Sequence, residues 1–504
     1  MKDLIKQIAH WERISEVLEP DELERKRSVE LVSEYGNAFI NKLDNSKTFQ
    51  FSDKLSSAFD IDQKLKSLEQ VIQLYDEEVA SKGIKASSGG HMGYIPGGGL
   101  FASSLGDFLA DVTNEYAGIF YGSPGAVSME TALIEWMKTI FSYPKNAVGN
   151  LASGGSIANL IALTSARDAH KIKGNLIEKS VIYLSSQTHH CVTKALRIIG
   201  LEDVILRTVN LDERSRMNVN DLKLLLQKDK ESGLNPFLIV GSAGTTDTGA
   251  IDPLEEIGKI CKNENLWYHI DAAYGGFFIL TESRKRLFKG IELSDSLVVD
   301  PHKGLFIPYG IGAVLIKNKE TVFHSHSSQA DYMQDAYRDD LPINPADLSP
   351  ELTKHFRGMR MWLPLQLYGI EPFAACLEEK LLLTKYLRER LAEMGFSLGP
   401  QPDLSVTYFW YENEKTSAFA DAIEEQKNTI DSSEYLGTNR FNQHLLDEIH
   451  KDGSYYFSST RINGKFVIRA AILSFRTKLK QVDKSLEMIQ TCLEKTKNHF
   501  EAPH

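Results

Sequence analysis

From about residue 150 to 320, short apolar runs alternate with helix-length stretches. The runs Val181–Leu184, Val204–Arg207, Phe237–Val240, Leu266–Ile270, Leu297–Val299 and Ala313–Ile316 each predict a strand. Several are apolar at every position rather than at alternate ones, the pattern of strands covered on both faces. Between two of them, Asp252-Pro253-Leu254-Glu255 reads as a helix start, with a capping carboxylate, a first-turn proline and an acid at the third helical position. Strand–helix alternation of this kind predicts an α/β domain with a mostly parallel sheet.

The flanks follow other patterns. The first 85 or so residues read as helices joined by polar linkers. Pro20-Asp21 opens one charged helical stretch, and a second runs from about Asp62 to Ala80. Its Leu65, Leu68, Val71, Ile72, Tyr75 and Val79 recur every three or four residues and mark one face for burial, against the parent domain or a partner subunit. The segment Gly89–Gly99 is rich in glycine, which lets a backbone approach a ligand closely; a plain connector is the alternative, but Tyr94, Ile95 and Pro96 sit inside it. After about 370, a helix (Glu378–Met394), strand-like Ser405–Trp410 and Phe466–Leu473 and a final helix read as a smaller α+β domain. The expected division is 1–100 for the arm and glycine-rich segment, 101–370 for the large domain and 371–504 for the small one.

Charge and composition narrow the partners. The chain has 57 basic and 68 acidic residues, a net charge of −11. That argues against nucleic acid or an anionic membrane as the main partner, though a few local donors suffice for a small anion. No apolar stretch reaches membrane-spanning length, and the N-terminus lacks the apolar core of a signal peptide. The four cysteines are scattered and suggest neither a disulfide framework nor a metal site. A cytoplasmic protein is the expectation.

Ligands of open α/β sheets bind beyond the carboxyl ends of the strands, so the residues there carry the candidate chemistry. Asp271-Ala-Ala273 follows one predicted strand, Asp300-Pro-His302-Lys303 another, Gly241–Thr246 a third, and a fourth runs into His189; Ser153-Gly-Gly-Ser156 leads into a helix. Singly, each has a plain structural reading as a turn former, solvated loop residue or helix start. Together they suit Schiff-base chemistry. Lys303 offers an amine nucleophile, and Asp271 a carboxylate to keep a pyridine nitrogen protonated. The amides of Gly155 and Ser156 offer a phosphate cradle at a helix N-terminus. His189 offers a flat group over a ring, and Ala273 is small enough to let a ring lie against the strand.

These residues, as Ser153-Gly-Gly-Ser-Ile-Ala-Asn, His189, Gly244-Thr-Thr, His269-Ile-Asp-Ala-Ala-Tyr and Asp300-Pro-His-Lys, resemble the group II pyridoxal-phosphate amino-acid decarboxylases, whose members act on aromatic amino acids, histidine, tyrosine or glutamate. The similarity runs from about Gly89 to Arg476 and takes in Ser123-Pro-Gly-Ala, Phe356-Arg-Gly-Met-Arg-Met-Trp362 and Phe466-Val-Ile-Arg469. It implies a fold-type I (aspartate-aminotransferase-like) α/β protein and a homodimer with active sites at the subunit interface. It also implies that pyridoxal 5'-phosphate is carried by Lys303, paired through its pyridine nitrogen with Asp271 and covered by His189. Thr246, Ala273 and His302 would line the cofactor and Gly155 and Ser156 would hold its phosphate. Asp300 stands where many animal relatives have an asparagine facing the phosphate, and a carboxylate there must be turned away or offset by a donor.

On the substrate side the resemblance implies Tyr94 and Ile95 at the border and Tyr116 reaching in from the other subunit. Thr353 lies near a position that tunes aromatic preference, and Arg469 matches a family arginine. The family's proton donor is a tyrosine on a mobile loop; Tyr332 matches it, with Tyr337 nearby. Relatives with phenylalanine there make aldehydes, so Tyr332 points to simple decarboxylation of an L-amino acid, with an aromatic substrate favoured by the family's habits. The alternatives are an aliphatic or acidic substrate, an aldehyde synthase, a carbon–carbon lyase, or an inactive regulatory relative. Lys303 and Asp271, both present, speak against the last.

Overall fold

The computed structural model of the chain describes residues 1–61, 65–327, 341–412 and 435–501. All six apolar runs form strands of one sheet, and a seventh strand joins them. In chain order they are β1 (Val148–Ala152), β2 (Ser180–Ser185), β3 (Ile205–Val209), β4 (Asn235–Ser242), β5 (Trp267–Asp271), β6 (Ser296–Val299) and β7 (Gly312–Ile316). Across the sheet the order is β1-β7-β6-β5-β4-β2-β3. Strands β2 to β6 run parallel, and β7 is antiparallel to both its neighbours. The mostly parallel α/β sheet expected from the pattern is therefore present. The unexpected strand, β1, is Val-Gly-Asn-Leu-Ala, whose glycine and asparagine break the apolar run.

Strand alternation gives the sheet two different faces. Tyr268, Ile270, Leu297 and Val299 point into one core with Phe141, Phe277 and Phe278. Trp267 and Val298 point into the other, with Ala158, Ile161 and Ala162 of the helix Gly155–Ala169. All three of those helical residues are wholly buried, so this helix lies against the sheet and its start is fixed at the strand ends.

A second sheet, within 371–504, contains β8 (Ser397–Leu398), β9 (Val406–Trp410), β10 (Ser458–Ile462) and β11 (Lys465–Ala471) in the antiparallel order β8-β9-β11-β10. Helices Glu371–Glu393, Leu436–Asp452 and Leu479–Glu501 share its core through Leu387, Leu445 and Ile489. The first begins seven residues before the expected Glu378, at a first-turn proline. None of the helices among the described residues is long and apolar enough to cross a membrane.

Two local expectations are corrected. Asp252 does not cap the helix Leu254–Glu264, which has no side-chain cap. Its buried carboxylate instead accepts from Met217 N (2.7 Å) and Ser242 N (2.8 Å), joining the end of β4 to the 210–218 loop. The helix expected over Asp62–Ala80 starts later, at Leu68 behind a capping box at Ser67, runs to Tyr75 and continues as a π-helical turn over Asp76–Ala80, and residues 62–64 lie outside the described residues. Its apolar face is not buried within this chain: Leu65 is 99% exposed, and Val71, Tyr75 and Val79 are exposed as well. The glycine-rich segment is no connector. It packs so closely against the segment leading into β10 that a Cβ at Gly93 would lie 2.5 Å from the Tyr456 ring.

One buried charge pair ties the fold together behind the sheet. Lys354 Nζ, wholly buried, meets Glu130 Oε2 at 2.6 Å and Asn150 Oδ1 at 2.9 Å, while Glu130 Oε1 accepts from Gly358 N. Breaking such a pair strands the remaining ion in a dry site. Glu130→Ala is therefore expected to destabilise the protein by about 3–5 kcal/mol, read as a lowered urea midpoint by tryptophan fluorescence.

Candidate active site

The loops beyond β2, β4, β5 and β6 and the helix start after β1 surround a cavity of about 310 Å3. Gly155, Ser156, His189, Thr246, Asp271, Ala273, Asp300, His302 and Lys303 all line it. It sits at the carboxyl edge of the parallel strands, where ligand sites in such sheets form.

Lys303 lies in the short helix Pro301–Gly304 directly after β6. Its Nζ is 2.8 Å from Asp300 Oδ2. Burial opposes the charge on this amine, but the Asp300 carboxylate, with Asp271 behind it, outweighs burial and holds it above the ordinary lysine range. Asp300 is buried, its Oδ1 has no partner, and His302 Nε2 stands 3.7 Å from Oδ2. The expected offset for a carboxylate at this position is thus the lysine itself. His302 Nδ1 donates to the carbonyl of Ile311, and burial pushes its pKa down.

Asp271, the last residue of β5, accepts from Ala273 N at 3.0 Å and from Asn159 Nδ2 at 3.4 Å, and Cys191 Sγ is 4.0 Å from its Oδ2. His189 Nδ1 accepts from Cys191 N at 3.3 Å. Burial pushes the pKa of His189 down, partly offset by Asp271.

The helix Gly155–Ala169 has glycine at its N-cap and no side-chain cap, so its first-turn amides remain available beside the cavity. A Cβ at Gly155 would lie 2.9 Å from Asp300 Oδ2 and 3.4 Å from Ala273 Cβ, so glycine keeps this wall open. An uncapped helix start for an anion, a carboxylate and a lysine amine, all lining one cavity, form a donor set that fits pyridoxal phosphate.

The expected substrate residues do not line this cavity. Tyr94 is exposed, in left-handed backbone (φ +51°), with its N–H donating to Ser458 Oγ and its ring 5.6 Å from that of Tyr456. Ile95 is buried beside it, Tyr116 is half-buried and Thr353 is exposed. Arg469 is buried, its terminal nitrogens donating to the carbonyls of Tyr94 and Thr246 and its Nε without a partner. Tyr332 and Tyr337 lie outside the described residues. Asn159, Cys191 and Gln187 line the cavity without having been assigned a part from the sequence, although Asn159 closes the quoted Ser153–Asn159 motif.

Residues 54–412 match the family model described as the pyridoxal-dependent decarboxylase conserved domain. The chain belongs to the pyridoxal-dependent decarboxylase family. It is 31% identical over 388 residues to an aromatic-L-amino-acid decarboxylase of Bacillus atrophaeus, covering 77% of each chain. It is 26% identical over 409 residues to a phenylacetaldehyde synthase of Arabidopsis thaliana, covering 79% of this chain and 80% of the other. Among solved structures, Catharanthus roseus tryptophan decarboxylase, in complex with L-tryptophan, superposes with a TM-score of 0.82 at 18% identity, over 95% of this chain and 99% of that one. Rhodiola rosea 4-hydroxyphenylacetaldehyde synthase gives 0.81 at 22% identity, over 94% and 99%. At these identities the structural likenesses bear on the fold, which is fold-type I. Family membership makes the protein an amino-acid decarboxylase with pyridoxal phosphate as its cofactor.

Proposed function

We propose that this decarboxylase converts an aromatic L-amino acid to the corresponding amine. The observation that carries the reading is the convergence of Lys303, Asp271, His189 and the Gly155 helix start on one cavity. Lys303 would carry the cofactor covalently, Asp271 would hold the proton on its pyridine nitrogen, His189 would cover the ring, and Gly155 and Ser156 would take the phosphate. Bound pyridoxal phosphate supplies the electron sink for the pair left behind when CO2 departs. Asp300 keeps a counter-charge against Lys303, and Thr246, Ala273 and His302 shape the wall. Return of a proton to Cα is assigned to Tyr332.

Two observations favour an aromatic over an acidic side chain. The sequence relatives described above act on aromatic amino acids by name or make an aromatic aldehyde. Arg469, the one arginine carried over from the family to the substrate side, has both terminal nitrogens committed to backbone carbonyls.

The homodimer belongs to this reading as well. Leu4, Ile5, Ile8, Trp11 and Ile14 of the helix Lys2–Ser15 and Phe101, Leu105, Phe108, Leu109 and Val112 of the helix Phe101–Thr113 are exposed. Apolar stripes of this extent call for a partner surface, and Tyr116 follows the second of them.

Purified protein with pyridoxal phosphate, offered the twenty amino acids, DOPA, 5-hydroxytryptophan and cysteine sulfinate, is expected to release an amine from the aromatic class only, measured by mass spectrometry. Aldehyde with ammonia and peroxide would overturn the part given to Tyr332. Amine from a non-aromatic substrate alone would overturn the aromatic reading.

A further inference from the structure

Beneath the cofactor cavity runs a chain of hydrogen bonds that is fully buried and ends on Asp271. Alternation along β5 puts Trp267, His269 and Asp271 on the same face, and His269 is in register with Ser296 of β6. Trp267 Nε1 meets Ser296 Oγ at 2.8 Å, Ser296 Oγ meets His269 Nδ1 at 2.8 Å, and His269 Nε2 meets Asn159 Oδ1 at 2.8 Å. Asn159 Nδ2 then faces Asp271 Oδ2 at 3.4 Å and the Gly155 carbonyl at 2.8 Å. His269, Ser296 and Asn159 have no exposed surface.

The direction of every bond follows from the two ends. The carbonyl of Gly155 and the carboxylate of Asp271 only accept, so Asn159 must turn its NH2 toward them and its oxygen toward His269. That oxygen only accepts, so His269 carries its proton on Nε2 and leaves Nδ1 bare. Ser296 must then donate to Nδ1, and its lone pair takes the indole N–H of Trp267, which only donates. Burial lowers the pKa of His269 to about 4, which agrees with a neutral ring of fixed tautomer. Reversing any one bond would set two donors or two acceptors face to face in a site with no surface exposure.

We propose that Asn159 is a positioning residue through which the Trp267–Ser296–His269 chain fixes the orientation of Asp271. The same amide holds the Gly155 carbonyl, so one side chain sets the spacing between the helix that would take the phosphate and the carboxylate that would take the pyridine nitrogen. The inference rests on the reading of Asp271 given above.

The test is cofactor binding. Apoenzymes of Asn159→Ala, His269→Leu, His269→Gln and Asp271→Ala are titrated with pyridoxal phosphate, recording Kd and the pH at which the visible band of the bound cofactor changes. Asn159→Ala is expected to weaken binding about tenfold or more, the loss of a hydrogen bond to a charged group, and to move the pH of the spectral change. His269→Leu moves both in the same direction, and His269→Gln, which keeps a donor in place of Nε2–H, returns both to within about twofold of the wild type. If Asn159→Ala fails to fold, the His269 pair decides. Wild-type binding and spectrum in Asn159→Ala and His269→Leu, with both altered in Asp271→Ala, would overturn the inference. No change in Asp271→Ala would instead overturn the reading of Asp271 beneath it.

Discussion

Lys303→Ala is expected to lose amine formation by roughly a thousandfold or more, because it removes the nucleophile through which the cofactor is held. Among the described residues, Lys303 is the only lysine lining the cavity. The substitution also has a structural effect, since it leaves the buried Asp300 without the ammonium 2.8 Å away. The two effects separate with Lys303→Arg, which keeps a positive charge for Asp300 but offers no free amine. Both variants are expected to be equally inactive, while Lys303→Arg melts closer to the wild type. Single-turnover amine formation and thermal melting, measured side by side, check both statements. Substantial activity in either variant would remove Lys303 from its assigned part.

The residues that line the cavity are legible in the sequence and the proposed substrate residues much less so, for a physical reason. Asp271, Lys303, His189 and Thr246 each lie directly beyond a strand that the apolar pattern announced, so locating the strands also located the residues at their ends. Tyr94, Tyr116 and Thr353 belong to segments whose position depends on packing between distant parts of the chain, such as the bridge between His91 and Tyr456, which local pattern does not encode. The same limit explains Asp252. Its helix-start signal is genuine, yet the carboxylate is drawn to two amides from other segments, a tertiary preference over a local one. The hairpin from β10 to β11 has a local signal, since Asn463-Gly464, both with positive φ, sits between two short runs that pair as strands. Asn159 is visible only as part of a motif, because its partners come from β5, 110 and 112 residues away, and from the helix start at Gly155.

Asp271→Asn is expected to reduce turnover by on the order of a hundredfold to ten-thousandfold, since it keeps the shape of the carboxylate but removes the charge that would hold the pyridine proton. Its surroundings add a second consequence. Oδ2 now faces the NH2 of Asn159, and Oδ1 faces the N–H of Ala273. An asparagine has only one oxygen to offer these two donors, so its own NH2 must confront one of them. Turning Asn159 over would relieve the conflict at Asp271 but set its oxygen against the Gly155 carbonyl and force His269 and Ser296 to reverse their own bonds. Asp271→Asn is therefore expected to melt below Asp271→Ala, although asparagine is the closer match in shape. Asp271→Ala has no polar group to set against the Asn159 amide and should lose turnover to a similar extent. The two variants compared by differential scanning calorimetry without cofactor and by turnover with it supply the measurement. Equal melting would mean that the buried chain accommodates a reversed amide, and near wild-type turnover in both would mean that the pyridine nitrogen finds its partner elsewhere.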